Sequence, residues 1–350
     1  MTTALTIALD GMGGDRAPDI VVAGALEAHA RFPDVRFLLF GDQNRLQPLV
    51  EKMPRLAGAV EIRHTSEKVG AEDRPSQALR HARQSSMRLA IDAVAAGEAL
   101  GVVSAGNTGA LMAMAKFVLK TLPGIERPAI ASLLPTMHGE TVVLDLGANI
   151  ECSASNLVQF AIMGANFANK VLGRPRPTVG LMNVGVEELK GNEAVRSAAD
   201  ILRSARGRGF EFIGFVEGDD IGKGTVDVVV TDGFTGNVAL KTIEGTARLL
   251  TTFLSEAFRR SLFSRLGYLL ARPALTALKA QFDPRQYNGG VMLGLNGIVV
   301  KSHGGTDATG FAAAIALAVD LAAENITEAL IANFKRFQPG ATVEAKAALS

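Results

Sequence analysis

The sequence contains no tryptophan and a single cysteine, Cys152, among its 350 residues. One thiol excludes an intramolecular disulfide framework and fits a reducing cytoplasm. No stretch approaches the roughly 18 uninterrupted apolar residues of a membrane-spanning helix, so any membrane contact is expected to be peripheral. The opening MTTALTIALDGMGGD has no basic leader and turns polar after a strand-length apolar run, so it does not read as a signal peptide. An excess of charge is missing too: 36 Lys and Arg against 35 Asp and Glu leave a formal net charge of +1. Such a balance sets up no global field for nucleic acid or for a strongly acidic partner. Linker-like, low-complexity and solenoid-repeat segments are also lacking.

What is present is a globular profile, 48% hydrophobic, with short β-rich runs alternating with helical patterns from end to end. Strands are expected at 6–9, 37–40, 60–63, 101–104, 130–134, 141–144, 179–183, 210–215, 226–231 and 297–301. Helices are expected at 19–31, 76–96, 109–122, 155–172, 194–206 and 312–337. Strands joined by helices indicate βαβ units, hence a largely parallel sheet covered on both faces, a three-layer α/β/α arrangement. Thr136-Met137-His138-Gly139 sits between two strands and reads as a hairpin inside that sheet. The whole of 1–350 reads as one α/β domain, with a division into two lobes as the open alternative.

Residues 244–287 depart from the alternation, with helical pattern only and no strand signal. Leu249, Leu250, Phe253, Leu254, Ala257 and Phe258 form one apolar stripe; Leu262, Phe263, Leu266, Leu269 and Leu270 continue a second. Arg248, Arg259, Arg260, Arg265, Arg272, Lys279 and Arg285 outnumber Glu256 and Asp283. A basic amphipathic hairpin of this kind suits an anionic membrane, an acidic protein or a second subunit. A core or dimer-interface hairpin with a solvated basic face fits the pattern equally well.

Ligands of open parallel sheets bind where strand ends lead into helix N-termini, whose N–H groups and dipoles favour anions. Six expected strand ends are rich in small and polar residues: 10–15, 104–109, 145–149, 183–187, 232–237 and 302–306. One such turn is ordinary punctuation. Six on the same side of one sheet would make a phosphate or oxyanion pocket. Two of them echo each other, since aligning Gly106 with Gly233 puts Thr108 on Thr235 and Gly109 on Gly236.

Other chemistries fit poorly. GMGGDRA after the first strand resembles a dinucleotide fingerprint, but Arg16 replaces the third small residue and Pro18 delays the helix. Asp42 at the second strand end keeps a ribose-binding acid in view. There is no P-loop and no GxSxG elbow. His29, His64, His81, His138 and His303 offer no metal-ligand spacing with Cys152. Cys152 is a conceivable nucleophile, though a lone Cys beside Ala and Ser is more often a small buried residue.

The motifs DGMGGDRAPD, SSMRLA, VVSAGNTGALM, DLGANIEC, NLVQFAIMG, NVGVEELKGNE, FVEGDD, VVTDGFTGNVALKTIEG and SHGGTD follow one another in this order. On these motifs the chain resembles the bacterial phosphate acyltransferases, the acyl-ACP:phosphate transacylases of phospholipid synthesis. Gly11 stands where the family usually has Ala, and Glu151 where Asp is common before the cysteine. The resemblance implies that inorganic phosphate attacks the thioester of acyl-acyl carrier protein, without metal or organic cofactor. It also implies an isocitrate/isopropylmalate dehydrogenase-like fold, a homodimer, and peripheral association with the inner face of the cytoplasmic membrane, where a membrane acyltransferase takes the product.

Under that chemistry Lys190 is expected to hold phosphate or the tetrahedral intermediate, Asp232 to accept a proton or orient the nucleophile, and His303 to protonate the leaving thiolate. Each has a plainer alternative: a solvated lysine, an N-cap, a turn residue. Asn107 with Thr108, and Thr235 with Asn237, are candidate donors to phosphate or carbonyl. Asp10, Asp15 and Asn149 are expected to shape the pocket, with Gly13, Gly14, Ser104, Glu187, Asn192 and Gly236 completing the phosphate- and substrate-binding set. Arg259, Arg260, Arg265, Leu269 and Leu270 are expected to meet carrier protein or lipid. An NAD-linked hydroxyacid dehydrogenase and a non-catalytic phosphate-binding protein are the competing functions.

Overall fold

A computed structural model describes residues 5–207, 209–281 and 289–337 of the chain. The strands are β1 Thr6–Asp10, β2 Arg36–Gly41, β3 Val60–His64, β4 Gly101–Ser104, β5 Ala129–Thr136, β6 Gly139–Leu144, β7 Thr178–Met182, β8 Glu211–Val216, β9 Val228–Val230, β10 Gly290–Leu293 and β11 Ile298–Lys301. The helices are α1 Asp19–Arg31, α2 Gln43–Glu51, α3 Pro75–His81, α4 Ser86–Ala95, α5 Thr108–Leu119 and α6 Ala154–Val171. They continue with α7 Glu193–Ser204, α8 Asp220–Lys223, α9 Gly233–Arg259, α10 Leu262–Gln281, α11 Ala308–Ala323 and α12 Ile326–Arg336.

Side chains alternate across each strand, so one strand feeds two cores. Ile7 and Leu9 of β1 face one apolar cluster with α1, α6 and α11, while Ala8 faces the other with α4 and α5. Val228 and Val230 of β9 divide from Val229 in the same way. Burial on both faces is why these strands read as continuous Val/Ile/Leu runs, and it yields the expected three layers.

The strands form one eleven-stranded sheet in the order β3-β2-β1-β4-β11-β10-β5-β6-β9-β7-β8. From β3 to β11 every neighbour is parallel, as is every neighbour from β6 to β8. Between these blocks lie three successive antiparallel ladders, β11–β10, β10–β5 and β5–β6. Three reversals are an odd number, so the two parallel blocks run in opposite directions. The hairpin expected at Thr136–Gly139 is the last of the reversals, with Thr136 paired to Gly139.

Several boundaries differ from the sequence reading, each for a local reason. The helix expected over 76–96 is two, because Ser85 accepts a hydrogen bond from the Arg88 N–H at 3.3 Å and starts α4 afresh. Asn325, at φ 49°, interrupts 312–337 between α11 and α12. β10 was not anticipated, being four residues set in a glycine-rich run, and α2 and α8 were also missed. α9 runs unbroken from Gly233, so the amphipathic segment expected from residue 244 continues the helix begun at TDGFTGN. α9 and α10 fold back on each other, with Phe258 and Tyr268 edge to face at 5.4 Å. Residues 282–287 of the expected hairpin, with Asp283 and Arg285, lie outside the described residues.

Two glycines of α9 offer a paired test. A Cβ at Gly236 would lie 1.9 Å from the Asp145 carbonyl oxygen, whereas one at Gly245 would meet nothing within 4 Å. Gly236→Ala is expected to cost about 3 kcal/mol or more by denaturant unfolding. Gly245→Ala is expected to add about 0.5–1 kcal/mol. Equal effects would mean that α9 does not seat against the end of β6 as described.

Candidate active site

The reversal divides the six turns into two groups. Those after β1, β4 and β11 share one edge, and those after β6, β9 and β7 share the other. The expectation that all six lie on one side of the sheet is therefore corrected. Lys190 and Asp232 belong to one edge and His303 to the other. α9 connects them: its N-cap is Asp232, and Lys241, Glu244 and Arg248 lie within electrostatic reach of His303. Lys241 is eight residues from Gly233, roughly 12 Å along a helix axis, which sets the scale of the separation.

The β1 edge is organised by Asp10, which is 1% exposed. Its carboxylate accepts from the hydroxyls of Ser86 at 2.6 Å and Ser104 at 2.7 Å, and from the Met12 N–H at 3.4 Å. Burial raises its pKa, and the two hydroxyls oppose the rise. Ser104 also accepts from the Gly106 N–H at 3.0 Å. A Cβ at Gly13 would sit 2.3 Å from Asp10 Oδ2, and Gly14, at φ 107°, packs against Ala105 and Gly304. Only glycine lets these turns meet. The Asp15 N–H donates to the Gly304 carbonyl at 3.0 Å, and the Gly305 N–H to His303 Nδ1 at 3.2 Å.

These bonds change the expected picture of a pocket lined with spare backbone donors. The N–H groups of Gly11, Asp15, Gly106 and Gly305 are committed to protein acceptors. Asn107 is committed as well: its Oδ1 caps α5 through the Ala110 N–H, and its amide donates to the carbonyls of Ala71 and Asp73. Thr108 is exposed in the first turn of α5. His303 has its pKa lowered by partial burial and by Lys241, so near neutral pH it is mainly the neutral tautomer with its proton on Nε2. It can meet a leaving thiolate as a neutral N–H donor.

Lys301, the last residue of β11, was missed from sequence because it reads as an ordinary strand end. Its ammonium donates to the carbonyls of Ala105, at 3.4 Å, and Ser302. Burial brings its pKa down to about 8, against the opposing pull of Asp10 and Asp15 and with help from Lys241. Ser86 was missed as a site residue too, although its SSMRLA run had been singled out.

The other edge has a second buried carboxylate. Asp145, fully buried, accepts from the N–H groups of Ile130, Gly147, Ala148 and Asn149 and from the Asn149 side-chain amide, at 2.7–3.2 Å. Asn149 also donates to the Pro128 carbonyl at 2.8 Å, and its own carbonyl takes the Gly233 N–H. Asp232 caps α9, accepting from the Thr235 N–H at 2.7 Å and the Thr235 hydroxyl at 3.1 Å. Asn237 is exposed beside Gly147. Lys190 lies in the exposed loop after β7, paired with Glu187 at 2.8 Å, which raises the lysine pKa and lowers that of the glutamate. Asn192 caps α7 through the Val195 N–H at 2.9 Å. The caps also correct the echo of the two turns: Asn107 corresponds to Asp232, two residues away from the glycine alignment.

Two alternatives weaken on this geometry. Asp42 caps α2 through the Asn44 N–H at 3.0 Å, which occupies the acid that a ribose would need. The Cys152 thiol is pushed up to about 12 by burial and by Asp145 and Asp232. Its thiolate fraction at pH 7 is then about one in 10⁵, too small for a resting nucleophile.

The sequence matches the profile of the Fatty acid synthesis protein family over residues 5–329. It is 60% identical over 348 residues to the phosphate acyltransferase of Rhodospirillum centenum, covering 99% of this chain and 97% of the relative. The phosphate acyltransferase of Paramagnetospirillum magneticum is 56% identical over 339 residues, covering 97% and 96%. The chain belongs to the phosphate acyltransferase family. Solved structures of similar fold include a phosphotransacetylase from Streptococcus pyogenes, with TM-score 0.61, 16% identity, and 93% and 95% of the two chains covered. The EutD phosphotransacetylase from Staphylococcus aureus gives TM-score 0.58 at 16% identity, covering 93% and 94%. At that identity they establish for this family member a phosphotransacetylase-like α/β fold, and no more.

For this phosphate acyltransferase family member, Cys152→Ser is expected to leave turnover within about twofold of the unaltered protein, because the thiol is held protonated. A loss of about a hundredfold in kcat, with unchanged thermal unfolding, would return the thiol to the chemistry.

Proposed function

We propose that the chain transfers a fatty acyl group from the thioester of acyl-acyl carrier protein to inorganic phosphate, giving acyl phosphate for phospholipid synthesis. The observation that carries this is up to 60% identity to phosphate acyltransferases across nearly the whole chain. A phosphate oxygen attacks the thioester carbonyl, the C–O bond forms, the C–S bond breaks, and the phosphate proton passes to the departing thiolate. Direct attack suits a protein whose cysteine is held as the thiol. Its residues have to hold two substrates in line and to aim donors at the developing oxyanion, worth about 3–4 kcal/mol per well-placed donor.

Lys190 and Asp232 are assigned to the thioester side and His303 to the departing thiol. The Lys190 ammonium is exposed, so exchanging its Glu187 partner for a substrate oxygen costs little. Asp232 already caps α9, and Asn is as good a cap as Asp. Asp232→Asn therefore separates the two roles. We expect kcat to fall about a hundredfold for Asp232→Asn and for Lys190→Ala, with the fold intact by circular dichroism. A change of less than about threefold in Asp232→Asn would leave only the cap. For the unaltered protein, acyl-acyl carrier protein and phosphate should yield hydroxylamine-trappable acyl phosphate and free carrier thiol. Absence of both at saturating phosphate overturns the proposed reaction.

We further read the chain as one α/β domain of the isocitrate/isopropylmalate dehydrogenase type, acting as a homodimer in the cytoplasm and resting peripherally on the inner membrane. Among the described residues no helix is long and apolar enough to cross a membrane. The α9–α10 hairpin exposes Leu262, Phe263, Leu269 and Leu270, each more than half accessible, beside Arg259, Arg260 and Arg265. Apolar side chains flanked by arginines suit an anionic lipid surface, where a membrane acyltransferase would meet the labile product. Leu269→Glu and Leu270→Glu are expected to release the protein from anionic vesicles while sparing turnover in solution. Unchanged vesicle binding removes this tip from the membrane reading.

A further inference from the structure

The β1 edge carries a cation whose setting is unlike that of an ordinary structural lysine. Lys301 ends a central strand of the sheet, where β11 lies beside β4. Its ammonium reaches the Ala105 carbonyl in the turn after β4 and the Ser302 carbonyl in its own turn. The turn after β1 completes the surroundings, since Gly14 packs against both Ala105 and Gly304. One amine thus stands at the junction of the turns 10–15, 104–107 and 302–306.

A simpler role would be to neutralise the buried Asp10. The hydrogen bonds argue against it. Asp10 has both oxygens occupied by hydroxyls and an N–H, and no ion pair joins it to Lys301 among the described residues. Lys301 leans on two carbonyls instead, using two of its three N–H groups. The third has no acceptor among the described residues. Around it the backbone N–H groups of Asp15, Gly106 and Gly305 and the amide of Asn107 are already engaged. An anion entering this junction finds a positive charge and a spare donor in the same group.

We propose that Lys301 is the cation that binds the attacking phosphate, which places phosphate at the β1–β4–β11 edge. The inference rests on the proposed acyl transfer to phosphate and deepens it, because it assigns the two edges: phosphate beside Lys301, thioester toward Asp232 and Lys190. The remaining donor of Lys301 bonds a phosphate oxygen, and the carbonyls of Ala105 and Ser302 hold the amine in place. Asp10 and Asp15, which face Lys301, favour its charged form; Lys241 from α9 and the neighbouring His303 complete the titratable groups around it. With the lysine pKa near 8, kcat/KM for phosphate falls as pH rises through that value and the ammonium is lost.

Two measurements test this. Lys301→Met keeps the length of the side chain and removes the charge. By calorimetric titration with inorganic phosphate it is expected to bind about tenfold more weakly or worse, with the KM for acyl donor unchanged. Phosphate binding within about threefold of the unaltered protein overturns the proposal. The second measurement uses the unaltered protein and so survives any failure of the variant to fold. Saturating phosphate is expected to slow acetylation of Lys301 by acetic anhydride about tenfold, read by peptide mass mapping against exposed Lys52 as internal reference. Equal labelling with and without phosphate also overturns it. Parallel turnover separates the two readings: acyl phosphate formed without protection of Lys301 keeps the function and ends this inference. Protection without turnover does the reverse.

Discussion

A carboxylate taken out of water must find its hydrogen bonds inside the protein, and Asp10 finds them on three different segments. Ser86 opens α4, Ser104 ends β4, and Met12 belongs to the turn after β1. Leaving such a group unsatisfied costs several kcal/mol, so these segments are held in register by the group they satisfy. Asp145 imposes the same condition on the other edge with a different solution, using mainly backbone N–H groups from the turn that follows it. Asp145 spends the donors of its own turn, and Asp10 those of its own turn and of two other segments. Many groups of the polar strand ends are therefore engaged in holding the turns together, which leaves side chains such as Lys301 to supply charge to a ligand.

The direction of the sheet decides how those side chains are distributed. Three antiparallel ladders at the centre turn the second parallel block against the first. A single parallel block would have gathered all strand ends on one edge. Here they form two groups, and the helix that begins at Asp232 runs toward the group containing His303 and Lys301. This arrangement suits a reaction between two dissimilar substrates, one small and anionic, the other long and attached to a carrier. On the proposed reaction each would be held by its own turn cluster, with the chemistry where the two meet.

Much of this was legible in residues 1–350. Continuous apolar runs such as Val228–Val230 announced strands buried on both faces, and Thr136–Gly139 announced the hairpin. Glycine-rich turns marked the strand ends correctly. Strand direction was not legible, because β10 is four residues long and its pairing with β5 spans more than 150 residues of sequence. Local pattern carries no information on such a contact. The caps were ambiguous for a different reason: Asn107 and Asp232 are residue types that serve equally as helix caps and as ligand groups. Lys301 was illegible because a lysine after Ile-Val-Val reads as the solvent end of a strand. Only the convergence of the turns around it shows that the strand ends inside the protein.

α9 has a mechanical consequence beyond its packing. Its 27 residues form an unbroken rod of about 40 Å, anchored at one end by the Asp232 cap and the close seat of Gly236. Its far end joins α10 and carries the exposed leucines. A tilt of about 5° pivoting on the anchored end would swing the tip by roughly 3 Å over that length. The first turn would barely shift. The tip is thus a pendulum hung from the strand end at Asp232: a fluctuating surface can tug at it while the groups at the pivot keep their spacing.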